Sequence, residues 1–396
     1  MKFSIVIPTY NRPEPFQNAF SSAVAQSYED FEVIVSNNNS NPEVREFVEK
    51  FNDKRVRYFE TDRLYSMPEH FSYIFNKVEG EWFCYLGDDD ALTPDALSVL
   101  AKVIDDDKSL KAIRMAKAKY IYPDFHQDRG NEIEFIHYSG KTLEYVDAQK
   151  ALKDSFWNMG GGFPKVQSGF FKTSVFHNAQ KKFGEVFDIW APDISSGLLV
   201  LSQLDRYGIL NVPIHLYGIS EHGYGAGSKK DPSKLVSFLS EFDEFTGYLD
   251  SPYPRLITVQ NIVYETYERV RRKLGATENQ LAISQSIFRE KLLKNVCGYI
   301  ELGFKEFEEE ERQLKKDMAL LGHSVKKTRS SIRAIAYALT RRIKRMLAGQ
   351  FNFGNSTQKL IVSGREAEKG FSNISEAATY IANNRELLFS IKGHRD

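Results

Sequence analysis

The sequence predicts an α/β protein: a mostly parallel sheet with helices on both faces, followed by a helical C-terminal region. Three observations predict it. Over the first hundred residues, short apolar runs of strand length alternate with segments of helical spacing. Three of these runs end in polar, turn-prone stretches. After about residue 235 glycine thins out and helix formers take over.

Residues 3–8 (FSIVIP) form the first strand, and 15–26 carry Phe16, Ala19, Phe20, Ala23 and Val24 at helical spacing. Residues 31–36, with Val33, Ile34 and Val35, are the second strand. Residues 42–51 are the second helix, with Val44, Phe47, Val48 and Phe51 on one face. A third strand over 56–59, a helix over 68–78 opened by Pro68, and a fourth strand over 82–86 follow. The next helix begins near Pro94, since proline suits a first turn. From 112 to 235 the pattern loosens. Strands are expected at 112–116, 169–171 and 209–217, and a helix over 194–207. Gly160, Gly161 and Gly162 form a flexible or close-approach loop, and Gly223, Gly225 and Gly227 mark another. Helices over 257–274 and 278–299 come next, with no strong strand after Tyr217. A boundary near 235 thus separates a sheet-bearing domain, 1–235, from a helical one, 236–396.

A chain of 396 residues suits two such domains. Lys plus Arg and Asp plus Glu both number 53, so no net charge draws the protein to nucleic acid. The two cysteines, Cys84 and Cys297, build neither a disulfide framework nor a zinc cluster. The opening residues read as a strand rather than a secretory signal, and no apolar run reaches the roughly 18 residues of a spanning helix. The expected location is cytoplasmic, or peripheral on the inner face of the plasma membrane.

In sheets of this kind ligands bind outside the carboxyl ends of the strands. Those ends are residues 8–12 (PTYNR), 36–40 (SNNNS) and 87–90 (GDDD), and they should converge on one cleft. Asp88, Asp89 and Asp90 place three like charges side by side, which a hard cation such as Mn²⁺ or Mg²⁺ relieves. The same ion would neutralise a departing diphosphate. An acidic turn before the Pro94 helix is the plainer account of the triplet alone. Its position beside two other polar strand ends favours a site. No G-x-G-x-x-G follows the first strand, which argues against a dehydrogenase. The loop TYNRP lacks the glycine-rich, basic character that a nucleotidyltransferase needs for a triphosphate.

Residues 3–12 (FSIVIPTYNR), 25–35 (AQSYEDFEVIV) and 85–94 (YLGDDDALTP), in this order and spacing, resemble the family 2 glycosyltransferases of the GT-A fold. The resemblance covers roughly 1–105 strongly and 106–230 loosely. It implies a metal-dependent, inverting transfer of sugar from a nucleotide-diphosphate donor, a UDP sugar, to a glycan or lipid-linked acceptor in cell-surface polysaccharide synthesis. Pro8, Thr9, Tyr10, Asn11 and Arg12 would lie against the nucleotide. Asn38 stands where the family usually has an acidic residue on the base, and an amide can also pair with a uracil edge. Asp89 aligns with the metal-binding aspartate of the D-x-D motif, with Asp88 on the ribose side and Asp90 as a further ligand. Asp193 matches the context of the catalytic base, which takes the proton of the acceptor hydroxyl. It is equally suited to cap the helix that follows. His222 is a further metal or diphosphate contact, or an ordinary loop histidine. Trp157, Lys165 and Lys172 are candidates for the acceptor or phosphate side. The different-class alternative is a binding or scaffold module that keeps the fold without the chemistry.

Near the C-terminus, Ile332, Ile335, Leu339, Ile343 and Met346 share one helical face. Lys326, Lys327, Arg329, Arg333, Arg341, Arg342, Lys344 and Arg345 populate the same stretch, which has no acidic residue. A basic amphipathic helix near 325–348 suits an anionic membrane surface; packing against the protein is the alternative. In vesicle flotation the chain is expected to rise with anionic liposomes and not with neutral ones. Equal failure with both would remove the membrane role.

Overall fold

The computed structural model describes residues 1–320, apart from 117, 126–128, 137–141, 188–189, 222, 224–226, 229, 241–244 and 246, together with 359–363 and 371–390. The expected basic helix at 325–348 and His222 lie outside the described residues.

The chain opens with the expected alternation: β1 (Phe3–Thr9), α1 (Pro13–Val24), β2 (Phe31–Asn37), α2 (Glu43–Phe51), β3 (Val56–Glu60), α3 (Met67–Phe75) and β4 (Trp82–Tyr85). β1 pairs in parallel with both β2 and β4, and β2 with β3, giving the order β3-β2-β1-β4. The direction of growth reverses between β1 and β4, so a crevice opens at their carboxyl ends. Side chains alternate across the sheet. Ile5, Ile7, Val33 and Val35 meet Phe16, Phe20 and Val44 of α1 and α2 on one face. Val6, Ile34, Phe83 and Tyr85 meet Phe71, Ile74 and Phe75 of α3 on the other. Burial on both faces is why these strands read as continuous apolar runs. α3 begins at a capping box in which Ser66 and Glu69 satisfy each other's backbone N–H groups.

After the aspartate triplet come β5 (Ala91–Leu92), α4 (Ala96–Asp106), β6 (Ala112–Met115), β7 (Ala118–Ile121), β8 (Glu132–Ile136), β9 (Leu143–Asp147), α5 (Ala148–Asn158) and β10 (Gly169–Lys172). Then follow α6 (Thr173–Phe183), α7 (Pro192–Leu201), β11 (Arg206–Leu210) and β12 (His215–Ile219). β10 enters antiparallel between β4 and β6, β11 adds in parallel to β6, and β9 closes the eight-stranded sheet. The helix expected over 194–207 stops at Leu201. The strand expected over 209–217 is two strands, because Pro213 offers no N–H to a ladder. The break lets β11 serve the first sheet and β12 a second.

The remainder is α8 (Ser233–Leu239), α9 (Val259–Lys273), α10 (Gln285–Glu301), α11 (Glu308–Leu320), β13 (Lys359–Ser363) and α12 (Ile374–Ser390). It is mostly helical, as expected. β13 is a strand where none was expected, a lone KLIVS run that pairs antiparallel with β8. The second sheet has the order β13-β8-β7-β12-β5. Tyr267 of α9 and Phe288, Leu292 and Val296 of α10 share one apolar cluster with Leu152 of α5 and Leu198 of α7. Ile374, Ala377, Ala378 and Ile381 of α12 cover Ala91, Ala118, Tyr120 and Leu216 of the second sheet.

His70 of α3 is buried under β2, with its Nε2 2.7 Å from Ser36 Oγ. Burial pushes its pKa down to about 4. Between the ordinary histidine value and that one, the unfolded chain binds a proton that the folded chain refuses, so stability falls as pH falls through this window. The loss is expected to reach about 3 kcal/mol by pH 4. Chemical denaturation of the native chain and of His70→Gln at pH 7 and pH 4 measures it. The substituted protein should lack this part of the slope.

Candidate active site

β1 ends in Thr9, whose hydroxyl donates to Asp88 Oδ2 at 2.9 Å across the β1–β4 crevice. The chain then turns through Asn11 at φ 52°, a left-handed conformation that asparagine tolerates. Its N–H donates to Ser40 Oγ at 3.1 Å, and Ser40 donates to Asn37, so the loops after β1 and β2 hold each other. This turn aims Arg12 into the cleft. Its Nη1 lies 2.6 Å from Asp88 Oδ1, and its Nη2 is 2.9 Å from Asp89 Oδ2 and 3.0 Å from Ser220 Oγ. Ser220 in turn donates to Asp89 Oδ2 at 2.7 Å. Burial works against the guanidinium charge, but Asp88 and Asp89 overcome it and raise the Arg12 pKa. Burial pushes the Asp88 carboxyl up; Arg12 counters the push and Asp89 adds to it.

The triplet divides. Asp88 and Asp89 face Arg12, whereas Asp90, expected beside them as a metal ligand, turns inward. Its Oδ2 lies 3.1 Å from His215 Nε2, and its Oδ1 accepts the Gly218 N–H at 2.8 Å. Both oxygens are thus engaged by β12, and Asp90 is 1% exposed. β12 can lie this close because of Gly218: a Cβ there would stand 2.0 Å from the Asp89 carbonyl oxygen. Tyr122 donates its hydroxyl to that same carbonyl at 3.1 Å.

The structure brings Thr9, Arg12, Asp88 and Asp89 together. Pro8 stays in the β1–β2 ladder opposite Ser36, and Tyr10 is half-buried beside the turn. Asn38 has another occupation. Its Oδ1 accepts from Thr61 Oγ1 at 3.1 Å and from the Tyr65 N–H at 2.9 Å, and its Nδ2 donates to the Tyr65 carbonyl at 2.8 Å. The amide therefore shapes the β3–α3 connection, not an open base edge. Ser220, Tyr122, His215 and Gly218 were not singled out from the sequence, where each stands outside any motif.

Asp193 is the second residue of α7 and makes no cap; Ala191 occupies the N-cap position. The helix dipole favours a carboxylate in this first turn. Lys165 holds Asp193 Oδ2 at 2.9 Å instead of reaching for a phosphate. Lys172 pairs with Glu81 at 3.3 Å, at the amino end of β4 and thus away from the cleft. Two-fifths of the Tyr217 surface faces solvent, yet desolvation in the cleft, then Asp90, Asp89 and Asp193, push its phenol pKa up. The glycine loop below is pinned by its carbonyls: Tyr267 donates to Gly160 at 2.7 Å, and Arg114 and Tyr207 donate to Gly162 at 2.7 and 3.1 Å. Trp157 is 55% exposed beside this loop.

Among the described residues no group of three or more His, Cys, Asp or Glu side chains could hold a metal ion. Asp88 and Asp89 fit a hard divalent ion of the kind that takes one or two carboxylates and completes its shell with substrate phosphates.

Residues 4–175 match the family model for glycosyl transferase family 2. This part of the chain is similar to the family 2 glycosyltransferases. The matched residues include Thr9, Arg12, Asp88, Asp89 and Lys165, while Asp193 and Ser220 lie beyond the match. A GalNAc(5)-diNAcBac-PP-undecaprenol beta-1,3-glucosyltransferase of Campylobacter jejuni is 30% identical over 195 residues, 47% of this chain and 56% of that one. Protein CgeD of Bacillus subtilis is 25% identical over 152 residues, 36% of this chain and 34% of that one. The chain therefore spans about half the length of the first relative and a third of the second. Among solved structures, S. aureus TarS 1-349 in complex with UDP-GlcNAc aligns with 75% of this chain and 81% of its own at 16% identity. Its TM-score of 0.45 is too low to carry an argument about the site.

Gly218→Ala is expected to force β12 off the Asp89 backbone and cost about 1–3 kcal/mol, the usual range for overpacking. Gly162→Ala, with open space around its Cβ position, should be close to neutral. Thermal melts of both proteins make the comparison.

Proposed function

We propose that this chain transfers a sugar from a nucleotide-diphosphate donor to a glycan or lipid-linked acceptor, with inversion at the anomeric carbon. The observation that carries the reading is the Thr9–Arg12–Asp88–Asp89–Ser220 network at the switch point of the sheet. The family match supports sugar transfer. The lipid-linked acceptor named for the Campylobacter relative supports that acceptor class here. A UDP sugar is the donor proposed.

In this reading Asp193 takes the proton of the acceptor hydroxyl while that oxygen bonds to the anomeric carbon. The bond from carbon to the diphosphate oxygen breaks, and the nucleoside diphosphate leaves with the electron pair. Lys165 fixes one Asp193 oxygen, which orients the carboxylate. Arg12 offers a partly buried, fixed positive charge near the place where the leaving group gains its negative charge. A Mn²⁺ or Mg²⁺ ion at Asp88 and Asp89 would supply further charge neutralisation to the diphosphate. Work on a lipid-linked acceptor would place the protein at the cytoplasmic face of a membrane. No described helix is long and apolar enough to cross one.

A panel of nucleotide sugars with Mn²⁺, with and without EDTA, tests the reading through release of nucleoside diphosphate. One donor should be hydrolysed slowly and only with metal. Asp89→Ala is expected to lose donor turnover. Asp193→Asn should lower kcat by about 10²–10⁴ while donor affinity is kept, as for a removed general base. Indifference to both substitutions would point to a scaffold.

A further inference from the structure

The aspartate triplet rests on two short strands. β5 follows it directly, and β12 runs antiparallel beside β5, with Leu92 opposite His215 and Ala91 opposite Leu216. β12 delivers His215 and Gly218 to Asp90 and is followed by Ser220, which binds Asp89. The position of the triplet thus depends on the position of this strand pair. β12 is laddered with β7 on its other side, but β5, two residues long at the edge of its sheet, gains from a further hold.

That hold comes from the far end of the chain. Arg385 of α12 forms a two-pronged ion pair with Asp95, 290 residues away, with Nη2 3.0 Å from Asp95 Oδ1. The same Nη2 donates to Thr93 Oγ1 and to the Pro213 carbonyl, each at 3.2 Å. Thr93 and Asp95 lie just after β5, and Pro213 lies just before β12. One guanidinium therefore bridges the segments that flank the strand pair, beside the Thr93 N–H bond to the Ile214 carbonyl. Asp95 is the N-cap residue of α4, yet its side chain makes no cap bond. It accepts from Thr93 and Arg385 instead. The same helix covers Ala91 and Leu216 with Ile374, Ala377 and Ala378, and it packs against α1, the helix that Arg12 leads. A planar fork matched to a carboxylate fixes geometry in a way that a lysine does not.

We propose that Arg385 is a positioning residue of the donor site: it staples the β5–β12 pair, and so the C-terminal helix completes a site whose other residues lie in the first 220. The proposal rests on the donor reading above for its effect on nucleotide binding. Its effect on the strand pair stands apart from that reading.

The test uses the full chain and the variants Arg385→Ala, Arg385→Lys and Asp95→Asn. UDP affinity is measured by calorimetry in Mn²⁺, and amide hydrogen exchange is followed across residues 86–93 and 213–220. Arg385→Ala is expected to weaken UDP by about tenfold, which corresponds to about 1.4 kcal/mol. Exchange should rise in both segments and stay unchanged in β2 and α10. Arg385→Lys should recover part of both effects. If Arg385→Ala does not fold, Asp95→Asn removes the same grip more gently and should reproduce both changes. Unchanged exchange in the two segments, or a rise spread evenly over the whole chain, would overturn the proposal. Raised exchange with native UDP affinity would overturn the link to the donor site. A native chain that binds no UDP sinks the donor reading, and exchange alone then decides the staple.

Discussion

Three adjacent carboxylates in a buried turn are the constraint on which the rest of this structure depends. Asp88 and Asp90 are each less than 10% exposed, and burial raises the pKa of both. Each carboxylate needs its own neutralising partners, and they come from separated parts of the chain. Asp88 takes Thr9 and Arg12 from the end of β1. Asp89 takes Arg12 and Ser220. Asp90 takes His215 and a backbone N–H of β12. A cluster of this kind is costly when half satisfied and specific when complete. It therefore ties β1, β4 and β12 into one arrangement.

The helical region braces the segments around Trp190 and residues 158–160. Glu265 of α9 is buried and accepts from the Trp190 indole, the Asp250 N–H and Arg269. Trp190 lies three residues ahead of Asp193, so α9 braces the entry to α7. Tyr267 and Lys291 hold the carbonyls of Asn158, Met159 and Gly160. A loop that reads as free from its three glycines is in fact held at its polar atoms. The Asn158, Met159 and Gly160 carbonyls are satisfied by side chains that arrive more than a hundred residues later, and the Gly162 carbonyl by Arg114 and Tyr207.

What was legible in the sequence follows from range. β1 to β4 and α1 to α3 were readable because periodicity and turn chemistry are local, and both faces of the strands are apolar. The convergence of residues 8–12 with 87–90 was readable because parallel strands put their carboxyl ends together. Other features depend on contacts that no local pattern carries. Asp90 has the same sequence context as Asp89, and only the approach of β12 turns it inward. Asn38 looks like a free amide until the 61–65 segment folds over it. Residues 209–217 read as one strand across Pro213, and nothing local shows that the two parts of the run join different sheets. β13 is five residues, and its partner β8 lies more than two hundred residues earlier.

The order in which the chain is made adds a consequence. Residues that resemble a complete nucleotide-sugar module leave the ribosome first, while α12 and Arg385 come 290 residues after Asp95. At ordinary rates of synthesis this gap is about 15 to 60 s. During that time the first sheet can form, but the β5–β12 pair lacks the Arg385 clamp. A chain cut short by a stalled ribosome or a protease would keep its family motifs and lack a firm seat for the aspartates. The Arg385 grip on Asp95 can therefore form only long after both strands of the pair have been made.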